Sequence, residues 1–225
     1  MKRIIIAIDG PAGSGKSTVS SKAALSLKIK YIDSGALYRA ITWFVLSKYN
    51  KIPPDLNYVQ ELKNLKIRQI FNKDGLTETF VNEQNVSTLI RDESIAQNIK
   101  RVCDDIEVRN FVNYLLKSLA QQESIIMDGR DIGSVVFPKA DLKIYLDASV
   151  EQRAWRRVKD YQEMGKKVDQ ALIKEQIITR DNQDKSRSYG ALRQCEDSFY
   201  LDTSNLNIDQ VVRKIVDLAE RIDRK

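Results

Sequence analysis

The chain has no histidine, and that absence removes every mechanism built on imidazole: Ser-His-Asp triads, His general bases and HExxH zinc sites. Cysteine is nearly as scarce. Cys103 and Cys195 stand far apart and form no CxxC pair, so zinc and redox readings fail and a reducing compartment fits. Nine glycines and four prolines in 225 residues exclude a collagen-like repeat and a long flexible linker. No apolar run approaches ~18 residues, so no spanning helix and no membrane partner are expected. The run Ile4 to Ile8 follows the basic Met1-Lys2-Arg3 but is short and ends at Asp9, which reads as a buried strand rather than a signal sequence. The cytoplasm is the expected location.

What is present is a globular composition. Hydrophobic residues make up 42% and charged residues 30% of a chain long enough for one large domain, or one domain with inserts. Lys and Arg number 37 against 31 Asp and Glu, a net charge of +6. That balance suits nucleic acid, a membrane surface or phosphorylated small molecules without choosing among them, and solvated surface lysine accounts for it equally well.

The pattern alternates short apolar runs with helical stretches. Strands are predicted at Ile4 to Ile8, Tyr31-Ile32, Ser124 to Met127, Leu142 to Leu146 and Phe199 to Leu201. Helices are predicted over about 16–27, 36–46, 106–121, 151–164 and 169–184, with Asn207 capping a last one to about Arg221. Between residues 53 and 100 the character changes. Leu65 to Phe71 and Glu78 to Val81 flank a turn at Lys73-Asp74-Gly75 and read as an inserted hairpin. Strands alternating with helices imply a parallel sheet covered on both faces, with ligands beyond the carboxyl ends of its strands. Three such ends carry polar clusters: Asp9-Gly10, Asp33-Ser34 and Asp128-Gly129-Arg130-Asp131.

Gly10-Pro11-Ala12-Gly13-Ser14-Gly15-Lys16-Ser17 matches GxxxxGK[ST] between a strand and a helix. Its glycines let backbone N–H groups wrap a phosphate, and the helix N-terminus adds a positive dipole end. Lys16 would reach β and γ phosphates, and the Ser17 hydroxyl would ligate Mg²⁺. Arg180, Asp184 and Arg187 are spaced to share a helical face if the helix persists that far. Arg offers a planar fork for phosphate oxygens, and Asp accepts from sugar hydroxyls or a base amino group.

Together these pieces resemble the bacterial cytidylate kinases, a nucleoside-monophosphate kinase family. The resemblance is carried in order by IAIDGPAGSGKST (6–18), YIDSGALYR (31–39), VSTLIRDESIA (86–96), VRN (108–110), DGRDIGSVVFPKADLKIYLDAS (128–149), RAWRR (153–157), RDNQDKSR (180–187) and YLDTSNLNIDQVV (200–212). It implies a single P-loop kinase domain over residues 1–225, with a three-layer α/β/α core and a five-stranded parallel sheet. It also implies a monophosphate-binding region at about 33–105 that includes the β insert, and a lid at about 151–190. The implied reaction moves a phosphoryl group from ATP·Mg²⁺ to CMP or dCMP, and a monomer is expected.

By the same resemblance, Gly10, Pro11, Ala12, Gly13, Ser14, Gly15, Lys16, Ser17, Thr18 and Arg156 would bind ATP, with Ser17 on the metal. Arg39 and Arg130 would hold the CMP phosphate. Arg109 and Asp131, with Ser34 and Tyr38 nearby, would read the base, and Arg180 and Asp184 would contact the sugar. Arg187 would close on phosphate, with Arg153, Arg156 and Arg157 as further clamp candidates; Lys16, Arg130 and Arg187 form the catalytic set. Cytosine suits Asp131 and Arg109, because its amino group donates and its N3 and O2 accept, whereas uracil reverses the first two positions.

This chain departs from the family pattern at Lys100, where relatives carry a serine that helps hold the cytosine amino group. It departs again at Leu116-Lys117 and at Gln183. Lysine donates only, so Lys100 either swings to solvent or pairs with Asp131 or Asp184. Other functions stay open on the sequence: a related kinase acting on UMP or AMP, a P-loop protein that binds nucleic acid, or a nucleotide-binding module without turnover.

Overall fold

The computed structural model describes residues 3–121 and 123–223; Met1 and Lys2 of the basic start, Gln122, Arg224 and Lys225 lie outside them. β1 (Ile5–Asp9), β2 (Lys30–Asp33), β6 (Ile125–Gly129), β7 (Leu142–Asp147) and β8 (Phe199–Asp202) form one parallel sheet, ordered β2-β6-β1-β7-β8. β1 lies central, with Ile6 opposite Ile126 on one side and Leu142 on the other.

Alternate residues of these strands face opposite layers, as the strand period of two requires. Ile6, Ile8, Ile126, Ile144 and Leu146 pack with α1 (Lys16–Leu27) and α8 (Ile208–Asp223), through Val19, Ala23 and Ile215. Ala7, Ile125 and Met127 pack on the other face with α2 (Ser34–Tyr49) and α5 (Ile106–Leu119), through Leu37, Ile41, Val108 and Val112. Both faces are covered, so the strands read as continuous apolar runs rather than alternating ones. The expected three-layer α/β/α core is therefore present.

The insert is richer than expected. The hairpin forms as β3 (Ile67–Phe71) and β4 (Thr77–Val81), and a third strand, β5 (Gln84–Asn85), extends it. Two helices in this region were not foreseen: α3 (Tyr58–Leu62) and α4 (Glu93–Asp104). α4 is mostly polar but buries Ile95, Ile99, Val102 and Cys103 along one stripe, and Asp92 caps it by accepting from Ser94 N–H.

α6 (Val150–Glu163) and α7 (Gln170–Lys185) pack on each other around a small core of Ala154, Ile173 and Ile177. α7 ends before Arg187, so the shared helical face expected for residues 180, 184 and 187 does not extend to the last of them. Asn207 caps α8 in a reciprocal box with Gln210.

Candidate active site

The carboxyl ends of β1, β2 and β6 open into a cleft of about 1180 Å³ that also reaches α6, α7 and the start of α8. The P-loop forms one wall. Gly15 adopts φ 91°, a left-handed conformation that suits glycine, and Lys16 begins α1 immediately after it. Ala12 through Thr18 line the cleft, whereas Gly10 and Pro11 lie beneath it and offer their carbonyls to Lys16 Nζ at 2.8 and 2.7 Å. Burial, reinforced by the field of Arg130, holds the Lys16 ammonium well below the usual lysine range.

Three carboxylates stand at the strand ends, and each has a different task. Asp9 accepts from the Ile132 and Gly133 N–H groups at 2.9 and 2.7 Å and so holds the short wide turn Ile132–Val136, which the sequence did not reveal. Burial pushes Asp9 up to about 6. Asp33 caps α2 through the Ala36 N–H. Asp128 accepts from Tyr31 Oη at 2.7 Å, and burial together with the charge of Asp33 raises it to about 7.

Asp33, Asp128 and the exposed Ser17 line the same cleft, and no set of three metal-ligating side chains occurs among the described residues. One hydroxyl with two nearby carboxylates, but no protein cage, is the donor set that fits Mg²⁺ held chiefly by phosphates and water.

An arginine cluster lines the same cleft. Arg39, Arg91, Arg130, Arg157, Arg180 and Arg187 all line the cleft. Asp184 organises part of it: its carboxylate takes Arg130 Nε at 2.6 Å and Arg187 Nη2 at 2.8 Å. Despite burial, these two arginines hold Asp184 below the ordinary carboxylate range. Burial and the fields of Arg130, Arg39 and Arg157 pull Arg180 down to about 10, the mark of a positive region short of counter-charge. Arg187 is anchored from α4, where Asp104 accepts from its Nε at 3.0 Å. Neither Arg91 nor Asp104 had been singled out as a site residue, although Arg91 lies in the quoted 86–96 segment.

The remaining clamp candidates divide. Arg153 is buried and committed to the fold: it donates to Ala148 O and Ala12 O and pairs with Asp181 at 2.7 Å. Its expectation as a free phosphate clamp is therefore corrected. Arg156 bridges the P-loop to β8, donating to Ser14 O, Thr203 O and Thr203 Oγ1. Beside it Thr203 and the start of α8 line the cleft, a further contribution that the sequence did not single out.

Arg109 and Asp131 are brought together as a buried ion pair. Arg109 Nη1 also donates to Cys103 O at 3.0 Å, and its guanidinium lies 5.8 Å from the Tyr38 ring centre. Ser34 is buried in the cleft wall and donates to Asp128 O at 2.6 Å. Lys100 takes the solvent course. Its side chain is 56% exposed and its near carboxylate is Asp104, at 3.4 Å, not Asp131 or Asp184.

This geometry agrees with comparison to known proteins. The family model described as cytidylate kinase matches residues 6–221. Proteins named cytidylate kinase are 41% identical over 220 residues in Exiguobacterium sibiricum, covering 98% of each chain, and 40% identical over 222 residues in Streptococcus suis, covering 99% of each. One from Listeria innocua is 39% identical over 220 residues, covering 98% of this chain and 97% of that one. Among solved structures, an uncharacterized protein from Eubacterium ventriosum aligns at TM-score 0.54 and 13% identity, over 99% of this chain and 100% of the other. TT1252 from Thermus thermophilus aligns at 0.50 and 16%, over 98% of each, and at these identities both speak for the fold alone. Matched almost end to end, and carrying a P-loop and an arginine cluster in one cleft, the chain belongs to the cytidylate kinase family.

Proposed function

We propose that the cleft carries out its family's reaction, transfer of the ATP γ-phosphoryl group to CMP or dCMP, with the division of labour that follows. The observation that carries it is the gathering of two phosphate-seeking sets in one cleft, the P-loop with Lys16 and the arginines Arg39, Arg130, Arg180 and Arg187. A site for two phosphorylated ligands needs both.

The acceptor phosphate is itself the nucleophile. Its second pKa is about 6, so it is ionised at neutral pH and no general base is required. The absence of histidine therefore costs nothing, and catalysis reduces to positioning and charge neutralisation. P-loop N–H groups and Lys16 hold the donor phosphates, and Arg156 with Thr203 borders the donor nucleoside. Arg39 and Arg130 aim the acceptor phosphate in line. Arg180 and Asp184 meet the sugar, while Arg187 approaches the transferring group. Mg²⁺, with Ser17 as its protein ligand, would neutralise charge shared by the β and γ oxygens.

Arg109 and Asp131 read the base. An ionised Asp131 accepts from the 4-amino group of cytosine, and the guanidinium donates toward N3 or O2. Uracil would set its O4 against the carboxylate and its N3–H against a donor. The region 33–105 holds the monophosphate and α6–α7 form the lid. The chain acts as a monomer in this reading. We place the protein in a reducing, cytoplasmic setting, in keeping with Cys103 and Cys195 as free thiols.

The test is ADP formation from ATP·Mg²⁺ with CMP, dCMP, UMP and AMP in parallel. Turnover with CMP and dCMP, and little with UMP or AMP, is expected. Equal turnover of CMP and UMP would overturn the base assignment, and no turnover with any acceptor would overturn the reaction.

A further inference from the structure

Arg109 is held more tightly than base reading alone requires. Its side chain is 2% exposed, two of its three nitrogens are committed, and Nε is buried without a partner. The third constraint comes from the strap that follows α7. Past the helix end the chain turns back and is anchored at the buried Leu192, whose N–H donates to Asp184 O at 2.8 Å. Between these points Tyr189 sets its ring centre 5.5 Å from the Arg109 guanidinium, and Gly190 lies directly on the Arg109–Asp131 pair. Gly190 has φ +68°, and a Cβ there would overlap both the guanidinium and the Asp131 carboxylate. The strap can close on this pair only because residue 190 has no side chain. Tyr189 is not among the residues that line the cleft, and its contact with the site runs through Arg109.

We propose that the strap Ser188–Leu192 sets base selectivity, with Tyr189 and Gly190 as positioning residues that hold the Arg109–Asp131 pair in one orientation. This rests on Arg109 and Asp131 being the base readers. A guanidinium is a long, flexible donor fork, and left loose it can rotate to offer N–H groups to either O4 of uracil or O2 of cytosine. Bracketed by Tyr38 and Tyr189, and covered by a backbone with no room for a side chain, it presents one edge. The carboxylate beside it then meets the amino group of cytosine and rejects the carbonyl of uracil. The strap also descends from Asp184 and Arg187, so the same segment ties base reading to the phosphate-facing arginines.

Tyr189→Ala separates this role from a structural one. It is expected to lower the CMP:UMP ratio of kcat/KM about tenfold, the worth of a partly desolvated cation–π contact, through a higher KM for CMP and with KM for ATP unchanged. Tyr189→Phe keeps the ring and is expected to keep the wild-type ratio. Gly190→Ala should lower the ratio further, and should it fail to fold, the Tyr189 pair carries the test. A Tyr189→Ala enzyme with an unaltered ratio, or with both KM values raised together, overturns the strap's role. Arg109→Met is the companion. If it shifts the ratio while Tyr189→Ala does not, only the strap fails. If it leaves the ratio untouched, base reading by Arg109 fails, and the strap proposal with it.

Discussion

Ile6, Ile8, Ile126, Ile144 and Leu146 bury completely, or nearly so, on one face of the central sheet, whereas the α6–α7 pair encloses only Ala154, Ile173 and Ile177 in a core of its own. What the pair lacks in apolar burial it makes up in charge. Arg153 on α6 reaches Asp181 on α7 at 2.7 Å, and Asp184 on α7 reaches Arg130 beyond β6 at 2.6 Å. The two regions therefore answer to different conditions. Apolar burial contributes about 1.5–3 kcal/mol per large side chain and is indifferent to a bound anion. An ion pair whose arginine also faces a phosphate site can exchange its carboxylate for a phosphate. The sheet rests on burial, and the helical pair rests largely on charge.

The largest effect should come from breaking the sheet. Ile144→Ala leaves a cavity in a close-packed layer and is expected to cost about 2–5 kcal/mol, read as a lowered urea midpoint with an unchanged slope. Ile177→Ala removes the same atoms from the small core. Its cost is capped by the free energy that already opens the helical pair on its own, so a global loss of about 1–2 kcal/mol is expected, with faster hydrogen exchange confined to α7. Equal losses for the two variants would mean that the pair is no separate unit.

A smaller effect tests the charged side of the contrast. Asp181→Asn leaves Arg153 buried without its carboxylate. Arg153 also holds Ala12 O in the P-loop, so the disturbance should travel to the nucleotide. A rise in KM for ATP of about three- to tenfold is expected, on the order of 1 kcal/mol. An unchanged KM for ATP would make the Arg153–Asp181 pair a purely local brace.

The same contrast explains what could be read without coordinates. The sheet strands were legible because β-branched runs such as Ile4 to Ile8 leave few alternatives, and the P-loop because its glycine spacing encodes a backbone shape. α4 escaped because its charged surface masked a stripe at Ile95, Ile99, Val102 and Cys103, a signal that was present in the spacing. The turn Ile132–Val136 had no local signal, since Asp9, more than a hundred residues earlier, holds it. Ion pairs are the least legible of all. Nothing in RAWRR says that Arg153 turns inward while Arg156 and Arg157 face the cleft, and Arg187 meets Asp104 through a turn after α7 that helical spacing does not describe.

A last effect, read only as a change with pH, lies where the two regions meet, at Asp128, which ends β6 on the sheet and faces Lys16 and Arg130 in the cleft. Burial and the charge of Asp33 raise its folded-state pKa to about 7 from an ordinary value of 3.8. The folded protein thus keeps a proton that the unfolded chain has already released. Stability from this group is complete below about pH 4 and falls as pH rises toward 7, above which it changes no further. Asp128→Asn cannot titrate, and its amide oxygen can still accept from Tyr31. The variant should therefore gain on wild type as pH rises, with the gap in Tm widening by about 2–4 °C per kcal/mol between pH 5 and pH 8. Asp9, raised to about 6, titrates alike in both proteins and cancels in the difference. A gap that stays constant across that range would mean that Lys16 and Arg130, not burial, decide the charge of Asp128 and keep it ionised throughout.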